Sequence, residues 1–263
     1  MRTQDQAMIH ATAIVHPGAK IGSGVEIGPY SVIGEHVEIG DGTWIGPHVV
    51  IDGRTRIGRD NRIFPFCSLG GIPQDKKYDG EPTLLEIGDR NTIRESCTFS
   101  IGTVQDTGVT RIGNDNWIMA YAHIAHDCLV GDHTIFANNA SLAGHAQVGD
   151  WAILSGFSGV HQFVRVGAHS FCGACALLLQ DLPPYVTVAG SPAAPHGINS
   201  EGLRRRGFTP EAISAIKKAY RILYRSGLPL ADAREKIDAL AAEHAEVRPF
   251  ADFISASGRG LVR

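Results

Sequence analysis

The chain has 263 residues, of which 43% are hydrophobic, and a formal net charge of -3 at pH 7. It can therefore bury a large core, while the small negative charge gives no reason to expect binding to nucleic acid. The start from Met1 to His10 lacks the basic end and apolar run of a signal peptide, and no stretch approaches the ~18 apolar residues of a membrane span, so we expect a cytoplasmic protein without a membrane span.

Apolar residues recur every six positions along the first part of the chain, and a glycine usually follows each of them. The series runs through Ile21, Ile27, Ile33, Ile39, Ile45, Ile51, Ile57, Ile63 and Leu69. A second series runs from Ile112 to Val166 in steps of six. This period differs from the ~3.6 of an α-helix and from the alternation of a long strand, and it is typical of a parallel β-helix. We expect each glycine to adopt a corner conformation that other residues resist.

A small or β-branched residue stands four positions after most of these apolar residues. Examples are Val25, Ser31, Thr43, Val49, Ala122, Thr134 and Ala140. Because residues two apart on a strand share a face, the small residue and the next large one both point inward. Three hexads then make one triangular coil, and successive coils stack about 4.8 Å apart. The sequence therefore predicts a prism with a dry interior.

Two stretches break the six-residue phase. In the first, the in-phase residues are Asp75 and Glu81, which cannot fill an apolar core. In the second, the spacing from Phe99 to Ile112 is thirteen residues instead of twelve. We predict that residues 1–195 form the β-helix and that loop excursions leave it near 70–86 and 100–111. Such excursions usually carry the function of a repeat protein.

Three histidines follow hexads that lie on the same face of successive coils. The hexads begin eighteen residues apart, and the histidines after them are His126, His145 and His161. We predict that all three stack on one outward corner at about the coil spacing. Asp127 stands beside the first histidine, and Gly144 lies eighteen residues after it.

These residues suit removal of a proton from a hydroxyl group. A neutral imidazole has a reference pKa of ~6.5 and can accept such a proton near neutral pH, while a neighbouring carboxylate can orient the ring. His126 and Asp127 are therefore a candidate base with its partner, and the Gly144 N–H is a candidate oxyanion donor. A structural β-helix with solvated corner histidines is the plain alternative.

The last part of the chain has a helical pattern. Thr209 is a candidate N-cap before Pro210, and apolar residues then follow at spacings of three and four. Further helical segments are expected over about 230–246 and from Pro249 onward. We predict a small α-helical domain over 196–263 that also covers the open end of the prism.

Several longer strings resemble one enzyme family. They are QDKKYDGEPT from residue 74, IRES from 93, HIAHDC from 123, LAGH from 142, VHQF from 160, RRGF from 205 and RGLVR from 259. Along essentially its whole length the sequence is similar to the UDP-N-acetylglucosamine O-acyltransferases that open lipid A biosynthesis. The resemblance implies a left-handed β-helix, a homotrimer and active sites in the clefts between subunits. It also implies transfer of an R-3-hydroxyacyl chain from acyl carrier protein to the 3-hydroxyl of UDP-N-acetylglucosamine, without an acyl-enzyme, a cofactor or a metal.

The resemblance assigns roles by position. His126 would be the general base, Asp127 would orient it and the Gly144 N–H would hold the oxyanion. It assigns substrate binding to a larger set. These residues are Asp75, Lys77, His123, His145, His161, Gln162, Asn199, Glu201, Arg205 and Arg206.

Two features concern the acyl donor. Ala174 matches the position that gauges acyl length, where relatives can carry glycine, so an added methyl favours a chain of about ten to fourteen carbons. A basic stripe on the first long tail helix is a candidate docking site for the acidic carrier protein, with a plain solvated face as the alternative. Its residues are Lys217, Lys218, Arg221 and Arg225.

Two other activities stay open. The related sugar N-acyltransferase of the same pathway also has hexads and a base histidine, but it normally carries an additional N-terminal domain, whereas here the hexads begin by about Ile9. A zinc-dependent hydratase of the carbonic anhydrase type would use His126, His145 and His161 with water as ligands. Three rungs of one corner form a row, however, and zinc needs ligands that converge tetrahedrally.

Overall fold

The computed structural model describes residues 7–263, and Met1–Gln6, on which the prediction about a signal peptide mainly falls, lie outside them. Short strands separated by turns and loops follow one another along the described chain as far as Ile198. Before the first long loop they are β1 Met8–Ile9, β2 Ile14–Val15, β3 Lys20–Ile21, β4 Glu26–Ile27, β5 Val32–Ile33, β6 Val37–Ile39, β7 Trp44–Ile45, β8 Val50–Ile51, β9 Arg54–Ile57, β10 Arg62–Ile63 and β11 Ser68–Gly71. Between the two long loops they are β12 Leu84–Ile87, β13 Thr92–Ile93 and β14 Thr98–Ser100. After the second loop they are β15 Val109–Ile112, β16 Trp117–Ile118, β17 His123–Ile124, β18 Leu129–Val130, β19 Ile135–Phe136, β20 Ser141–Leu142, β21 Gln147–Val148, β22 Ile153–Leu154, β23 Gly159–Val160, β24 Arg165–Val166, β25 Phe171–Cys172, β26 Leu177–Leu178, β27 Val186–Ala189 and β28 Ala194–Ile198.

As far as β26, each strand pairs with the strand three places further along the chain, so the strands form three sheets. Sheet A has the order β1-β4-β7-β10-β13-β16-β19-β22-β25-β27-β28, sheet B runs β2-β5-β8-β11-β14-β17-β20-β23-β26, and sheet C runs β3-β6-β9-β12-β15-β18-β21-β24. Neighbours pair in parallel, apart from β27 and β28, and the register places Ile27 beside Ile45 and Ile45 beside Ile63. The parallel β-helix predicted from the six-residue period is confirmed.

The interior is filled by the two inward positions of each hexad. The large residues, such as Ile45, Ile63 and Ile93, are fully buried, and so are small ones such as Ala140. Each buried isoleucine stabilises the fold by roughly 1.5–3 kcal/mol relative to an exposed one. These inward layers continue from coil to coil, which explains why the phase of six is kept over so many repeats.

The hexad glycines serve close approach between coils, which differs from the prediction. A Cβ on Gly28 would lie 2.8 Å from the carbonyl carbon of Gly46, and one on Gly40 would lie 2.7 Å from that of Gly58. The left-handed backbone conformation falls two residues later, on side-chain-bearing residues such as Tyr30, whose φ is 60°. The prediction that these glycines adopt the corner conformation is therefore wrong, because their role is steric.

Both long loops leave the prism at the same corner. The first excursion, residues 72–83, joins β11 of sheet B to β12 of sheet C, and the second excursion, residues 101–108, joins β14 to β15. On the next three coils the B–C corner consists of residues 125–128, 143–146 and 161–164. The excursions and the predicted histidines therefore share one edge of the prism. This placement positions the candidate site.

The tail after residue 199 is helical. Its helices are α1 Ser200–Arg205, α2 Pro210–Arg225, α3 Leu230–Glu243, a 3-10 turn Ala245–Val247 and α4 Arg248–Ala256. The Thr209 side chain accepts a hydrogen bond from the Ala212 N–H, so the predicted cap of α2 is confirmed. No helix of residues 7–263 is both long enough and apolar enough to cross a bilayer.

The end of the prism is covered by chain segments from the tail. Strand β28 pairs antiparallel with β27, and the Val262 N–H donates to the carbonyl of Asp181 at 2.9 Å. These segments satisfy backbone groups that an open coil would leave unpaired. The domain boundary predicted between residues 195 and 196 falls inside β28, because the hairpin with β27 carries the β structure on to Ile198.

Candidate functional site

The base candidate and its carboxylate lie at the B–C corner directly after β17. Nδ1 of His126 lies 2.9 Å from Oδ2 of Asp127. The Asp127 side chain is 0% exposed and that of His126 is 14% exposed. Asp127 has a φ of 57° at the apex of the turn, and its N–H donates to Oγ1 of Thr110 at 2.8 Å. The turn thus folds the carboxylate inward beside its own neighbour and leaves the imidazole at the surface of the corner.

Thr103, in the second excursion, holds the Asp127 carboxylate. Its N–H donates to Oδ1 at 2.9 Å and its hydroxyl donates to Oδ2 at 2.6 Å. A buried carboxylate is costly unless such donors replace water. Residue spacing does not predict this contact, since Thr103 lies 24 residues before Asp127 in a loop without periodicity.

Gly144 lies one coil beyond His126 and touches its ring. A Cβ at this position would be 2.6 Å from both Cε1 and Nε2 of His126, so any other residue there would push the ring away from its present position. Among residues 7–263 the Gly144 N–H has no hydrogen-bond acceptor. A free backbone donor therefore stands beside the nitrogen of the candidate base that faces away from Asp127.

His145 is held on several sides. Its ring centroid is 5.0 Å from that of His126, with the planes perpendicular, and 4.3 Å from that of Phe163, with the planes nearly parallel. Its Nδ1 lies 2.8 Å from Oδ2 of Asp106. His126 and His145 therefore meet, as the eighteen-residue spacing predicts.

His161 does not join this stack. The residues in register on successive coils are Asp127, His145 and Phe163. His161 is the first residue of its turn, two positions before Phe163, and its side chain is exposed. Its Nδ1 lies 3.2 Å from the carbonyl of Gln162. The predicted column of three histidines is therefore a column of two histidines and a phenylalanine, because a shift of two residues around a tight corner changes the direction of the side chain.

A cavity of about 820 Å³ opens at this corner. Its lining residues are Gln74, Asp75, Lys76, Lys77, Gln105, Asp106, His126, His145, Gln162 and Phe163. The structure thus brings both excursions against the histidines, and four of the binding residues predicted from the resemblance line the wall. The contributions of Gln74, Lys76, Gln105 and Asp106 were not predicted, although their position in the excursions could have suggested them.

The possible metal ligands at this corner differ from the three-histidine set. Ligand atoms of His126, Asp127 and His145 all lie within 4.8 Å of one another. Both oxygens of Asp127 already accept hydrogen bonds from Thr103, and one lies against His126. Metal binding would have to displace those bonds. The arrangement therefore fits a carboxylate-oriented imidazole better than a zinc centre.

Two other predicted residues lie away from the cavity in the single chain. His123 is on β17, where its Nδ1 lies 2.8 Å from Oγ1 of Thr98, and burial lowers the pKa of its imidazole. Ala174 is exposed at the turn between β25 and β26, which is a different corner of the prism. One chain therefore does not bring the residue proposed to gauge acyl length next to His126.

The remaining predicted binding residues stand at the corner between sheets C and A, here called the C–A corner. Asn199 donates to the carbonyl of His169 at 3.0 Å and accepts from the Gly202 N–H at 3.1 Å, which caps α1. Glu201 and Arg205 are exposed and form an ion pair at 3.1 Å. The nucleotide-binding group implied by the resemblance is thus ordered, but on another edge from His126.

Arg206 is packed into an aromatic column at the C–A corner. Its guanidinium lies 5.1 Å from the ring centroid of Trp151, and Nη1 lies 3.3 Å from Nδ1 of His169. Trp151 also stacks on His133 at 4.1 Å. Burial, aided by the charge of Arg206, lowers the pKa of His169 to about 4. In one chain Arg206 therefore acts as a structural anchor.

The basic stripe predicted on the tail is present. Helix α2 buries its apolar face and exposes the opposite one. The exposed basic residues are Lys217, Lys218, Arg221 and Arg225. None of these four side chains forms an ion pair with an acidic residue of the described chain. The stripe therefore presents four positive charges to a possible partner.

Comparison with known proteins places this site in a family. A family model described as UDP-N-acetylglucosamine O-acyltransferase, domain 2, matches residues 181–262, and one described as bacterial transferase hexapeptide matches residues 2–35 and 110–144. An acyl-[acyl-carrier-protein]--UDP-N-acetylglucosamine O-acyltransferase of Thiobacillus denitrificans is 65% identical over 98% of this chain and 100% of its own length.

Solved structures agree with this result. A UDP-N-acetylglucosamine acyltransferase of Francisella novicida has a TM-score of 0.96 at 47% identity, over 97% of this chain and 94% of the other. One from Bacteroides fragilis has a TM-score of 0.95 at 44% identity, over 97% and 100% of the two chains. The comparisons do not favour the N-acyltransferase or the zinc hydratase. The fold is the left-handed parallel β-helix that the resemblance implied, and the chain belongs to the UDP-N-acetylglucosamine O-acyltransferase family.

Proposed function

We propose that this protein transfers an R-3-hydroxyacyl chain from acyl carrier protein to the 3-hydroxyl of UDP-N-acetylglucosamine, the first step of lipid A biosynthesis. The observation that carries the proposal is the contact of His126 with Asp127 on one side and Gly144 on the other. Such a site suits deprotonation of a hydroxyl beside a donor for the developing oxyanion. The names of the relatives supply the substrates.

The geometry suits direct transfer. With Nδ1 of His126 donating to Asp127, Nε2 can accept the proton of the sugar hydroxyl as its oxygen attacks the thioester carbonyl. The Gly144 N–H stabilises the oxyanion while the carbon–sulfur bond breaks. The departing thiolate then takes this proton from the imidazolium and leaves as a thiol. No acyl-enzyme is required.

The cavity offers groups for the sugar nucleotide. Lys77 brings positive charge toward a pyrophosphate, while Asp75 and Gln162 offer hydrogen-bond partners to hydroxyl and amide groups. His145 lines the cavity, His161 lies at the same corner and His123 lies on the adjoining strand β17, and we assign all three to the proposed sugar and acyl pocket. Both proposed substrates are water-soluble conjugates, and we place the reaction in the cytoplasm, which cell fractionation with an antibody would test.

We infer that the enzyme is a homotrimer whose clefts combine two chains. Asn199, Glu201, Arg205 and Arg206 lie at the C–A corner, away from His126 in one chain. A neighbour that presents its C–A corner to this B–C corner would bring the two groups together. The molar mass in solution, measured by light scattering, should be about three times that of one chain.

Complementation tests the shared site directly. His126→Ala and Arg205→Ala homomers should each lack most activity, because one loses the base and the other a phosphate contact. Coexpressed mixtures should regain about a quarter of wild-type activity, since random assembly leaves about that share of clefts with both residues intact. Mixtures as inactive as their parents would show that each site comes from one chain.

The choice of acyl chain and carrier protein forms a separate part of the proposal. Ala174 is proposed to limit the chain to about ten to fourteen carbons. Rates with a series of 3-hydroxyacyl carrier proteins of increasing chain length should show this preference, and a preference for sixteen carbons or more would contradict it.

The basic stripe on α2 is proposed to dock the carrier protein. Charge reversal at Lys217 and Arg221 should raise the Michaelis constant for the carrier protein, while an unchanged value would exclude docking on this stripe.

The decisive test of the function is His126→Ala. Loss of the base should lower kcat about 10²–10⁴-fold. His36→Ala is the matched control, since His36 is an exposed histidine at the same B–C corner on an earlier coil. Metal analysis of the same wild-type sample tests the zinc alternative. A His126→Ala variant that transfers acyl groups at the wild-type rate would overturn the mechanism.

A further inference from the structure

The second excursion carries a carboxylate that bonds to the second histidine of the B–C corner. Oδ2 of Asp106 lies 2.8 Å from Nδ1 of His145, across 39 residues of sequence. The other nearby carboxylate, Asp127, is 4.0 Å from the same nitrogen, beyond hydrogen-bond distance. A proton on Nδ1 of His145 is therefore donated to Asp106.

Asp127 is already occupied by other donors. Its Oδ2 accepts from the hydroxyl of Thr103 at 2.6 Å and lies 2.9 Å from Nδ1 of His126. No other acceptor among residues 7–263 makes a hydrogen bond with Nδ1 of His145. Asp106 is thus the group that decides which nitrogen of His145 carries the proton.

The position of the ring makes this choice matter for binding. His145 stacks on Phe163 and its side chain is 12% exposed, while that of Asp106 is 42% exposed at the wall of the cavity. The Asp106 N–H donates to the carbonyl of Thr103 at 3.4 Å, and Thr103 is itself bonded to Asp127. One loop therefore orients both imidazoles of the corner.

We propose that Asp106 is a positioning residue that keeps His145 in its Nδ1–H tautomer, so that Nε2 accepts a hydrogen bond from a hydroxyl or amide N–H of the sugar nucleotide. Gly144 stands beside Nε2 of His126, which makes His126 the base and leaves His145 to bind. The kinetic consequence rests on the proposed function, whereas the tautomer does not.

Kinetics of Asp106→Ala, Asp106→Asn and Thr107→Ala test the binding role. Asp106→Ala should raise the Michaelis constant for UDP-N-acetylglucosamine about tenfold and change kcat less than about threefold. Asp106→Asn keeps an oxygen acceptor for Nδ1–H and should stay within about threefold of wild type. Thr107, an exposed neighbour in the same loop, is the control and should change nothing. A Michaelis constant unchanged in Asp106→Ala, or raised equally in Asp106→Asn, would overturn the proposal.

Nitrogen-15 NMR of histidine-labelled protein tests the tautomer without substrate. The His145 signal is identified by its loss in His145→Gln, and it should show a protonated Nδ1 in wild type and a changed tautomer in Asp106→Ala. An unchanged tautomer would refute the positioning role even if activity falls. If wild-type protein transfers no acyl group, the proposed function fails, while this spectrum still decides whether Asp106 orients His145.

Discussion

The B–C and C–A corners both bring histidines against rings from neighbouring coils, yet the surroundings of these histidines differ. At the B–C corner His126 lies against a buried carboxylate and opens on a cavity of about 820 Å³. At the C–A corner His169 lies beside the guanidinium of Arg206, and Phe208 packs against its ring at 5.2 Å. The same repeat thus builds one reactive edge and one packed edge.

The difference shows what makes a stacked histidine useful. A carboxylate at Nδ1 leaves Nε2 of His126 free to act as a base. Burial beside a cation instead lowers the pKa of His169 to about 4, so its imidazole stays neutral and packs. Register brings the rings together, but the partner at Nδ1 decides the role.

Among the changes that contrast the two corners, the largest effect is expected for Asp127→Asn. The amide would present N–H groups or a neutral oxygen where His126 and Thr103 now donate, so kcat should fall about 10²–10³-fold. His169→Gln is the matched change at the C–A corner and should keep kcat within about threefold. Steady-state rates of the two folded variants measure the contrast. Equal losses would show that the corners do not differ in function.

The packed edge should respond in stability. Trp151→Ala removes the stack with His133 and the cation–π contact of Arg206, so the free energy of unfolding should fall by about 2 kcal/mol. Phe163→Ala at the B–C corner should cost only about 1 kcal/mol, because that ring is half-exposed. Urea denaturation at one fixed protein concentration measures both. A larger cost at Phe163 would reverse the comparison.

Thr103→Val sharpens the account of the reactive edge. It keeps the shape and the backbone donor but removes the hydroxyl that donates to Asp127, so kcat should fall about tenfold. Thr107→Val, in the same loop, should leave kcat unchanged. If Thr103→Val matches wild type, the second excursion does not orient the carboxylate.

The smallest effect concerns pH and the packed edge. His169 has a folded pKa of about 4, below the unfolded value of ~6.5, so the unfolded chain binds more protons between these values. Stability should therefore rise with pH across this window and be lost as pH falls toward 4. Because His169 is partly exposed, we expect only about 1 kcal/mol. Denaturation of wild type and His169→Gln at about pH 4.5 and pH 7 isolates this share, and equal pH slopes would contradict it.

The sequence predicted the scaffold well because a repeat reports the same contact many times. The period of six and its multiple of eighteen placed Ile45 beside Ile63 and His126 against His145, as the structure has them. The predicted role of the hexad glycines is wrong, since a period in the sequence cannot separate a need for positive φ from a need for close approach between coils. The prediction that His161 joins the stack is also wrong, because the direction of the side chains changes within two residues of a tight corner.

The loops lay beyond such reasoning. Thr103 and Asp106 reach Asp127 and His145 across 24 and 39 residues, with no periodic relation between them. Arg206 was expected to bind substrate, and its contact with Trp151 appears only once the tail folds back on the C–A corner. Contacts of this kind depend on how non-repeating segments settle on the finished prism.

By itself the sequence determined the coil, its inward layers and the meeting of His126 with His145, because backbone pairing between identical coils converts residue spacing directly into position. Only the tertiary structure decided that both excursions leave at the corner of those histidines, that their side chains hold the two imidazoles, and that Asn199 and Arg205 stand at another edge. Those outcomes follow from long-range packing of irregular segments, which no local period encodes.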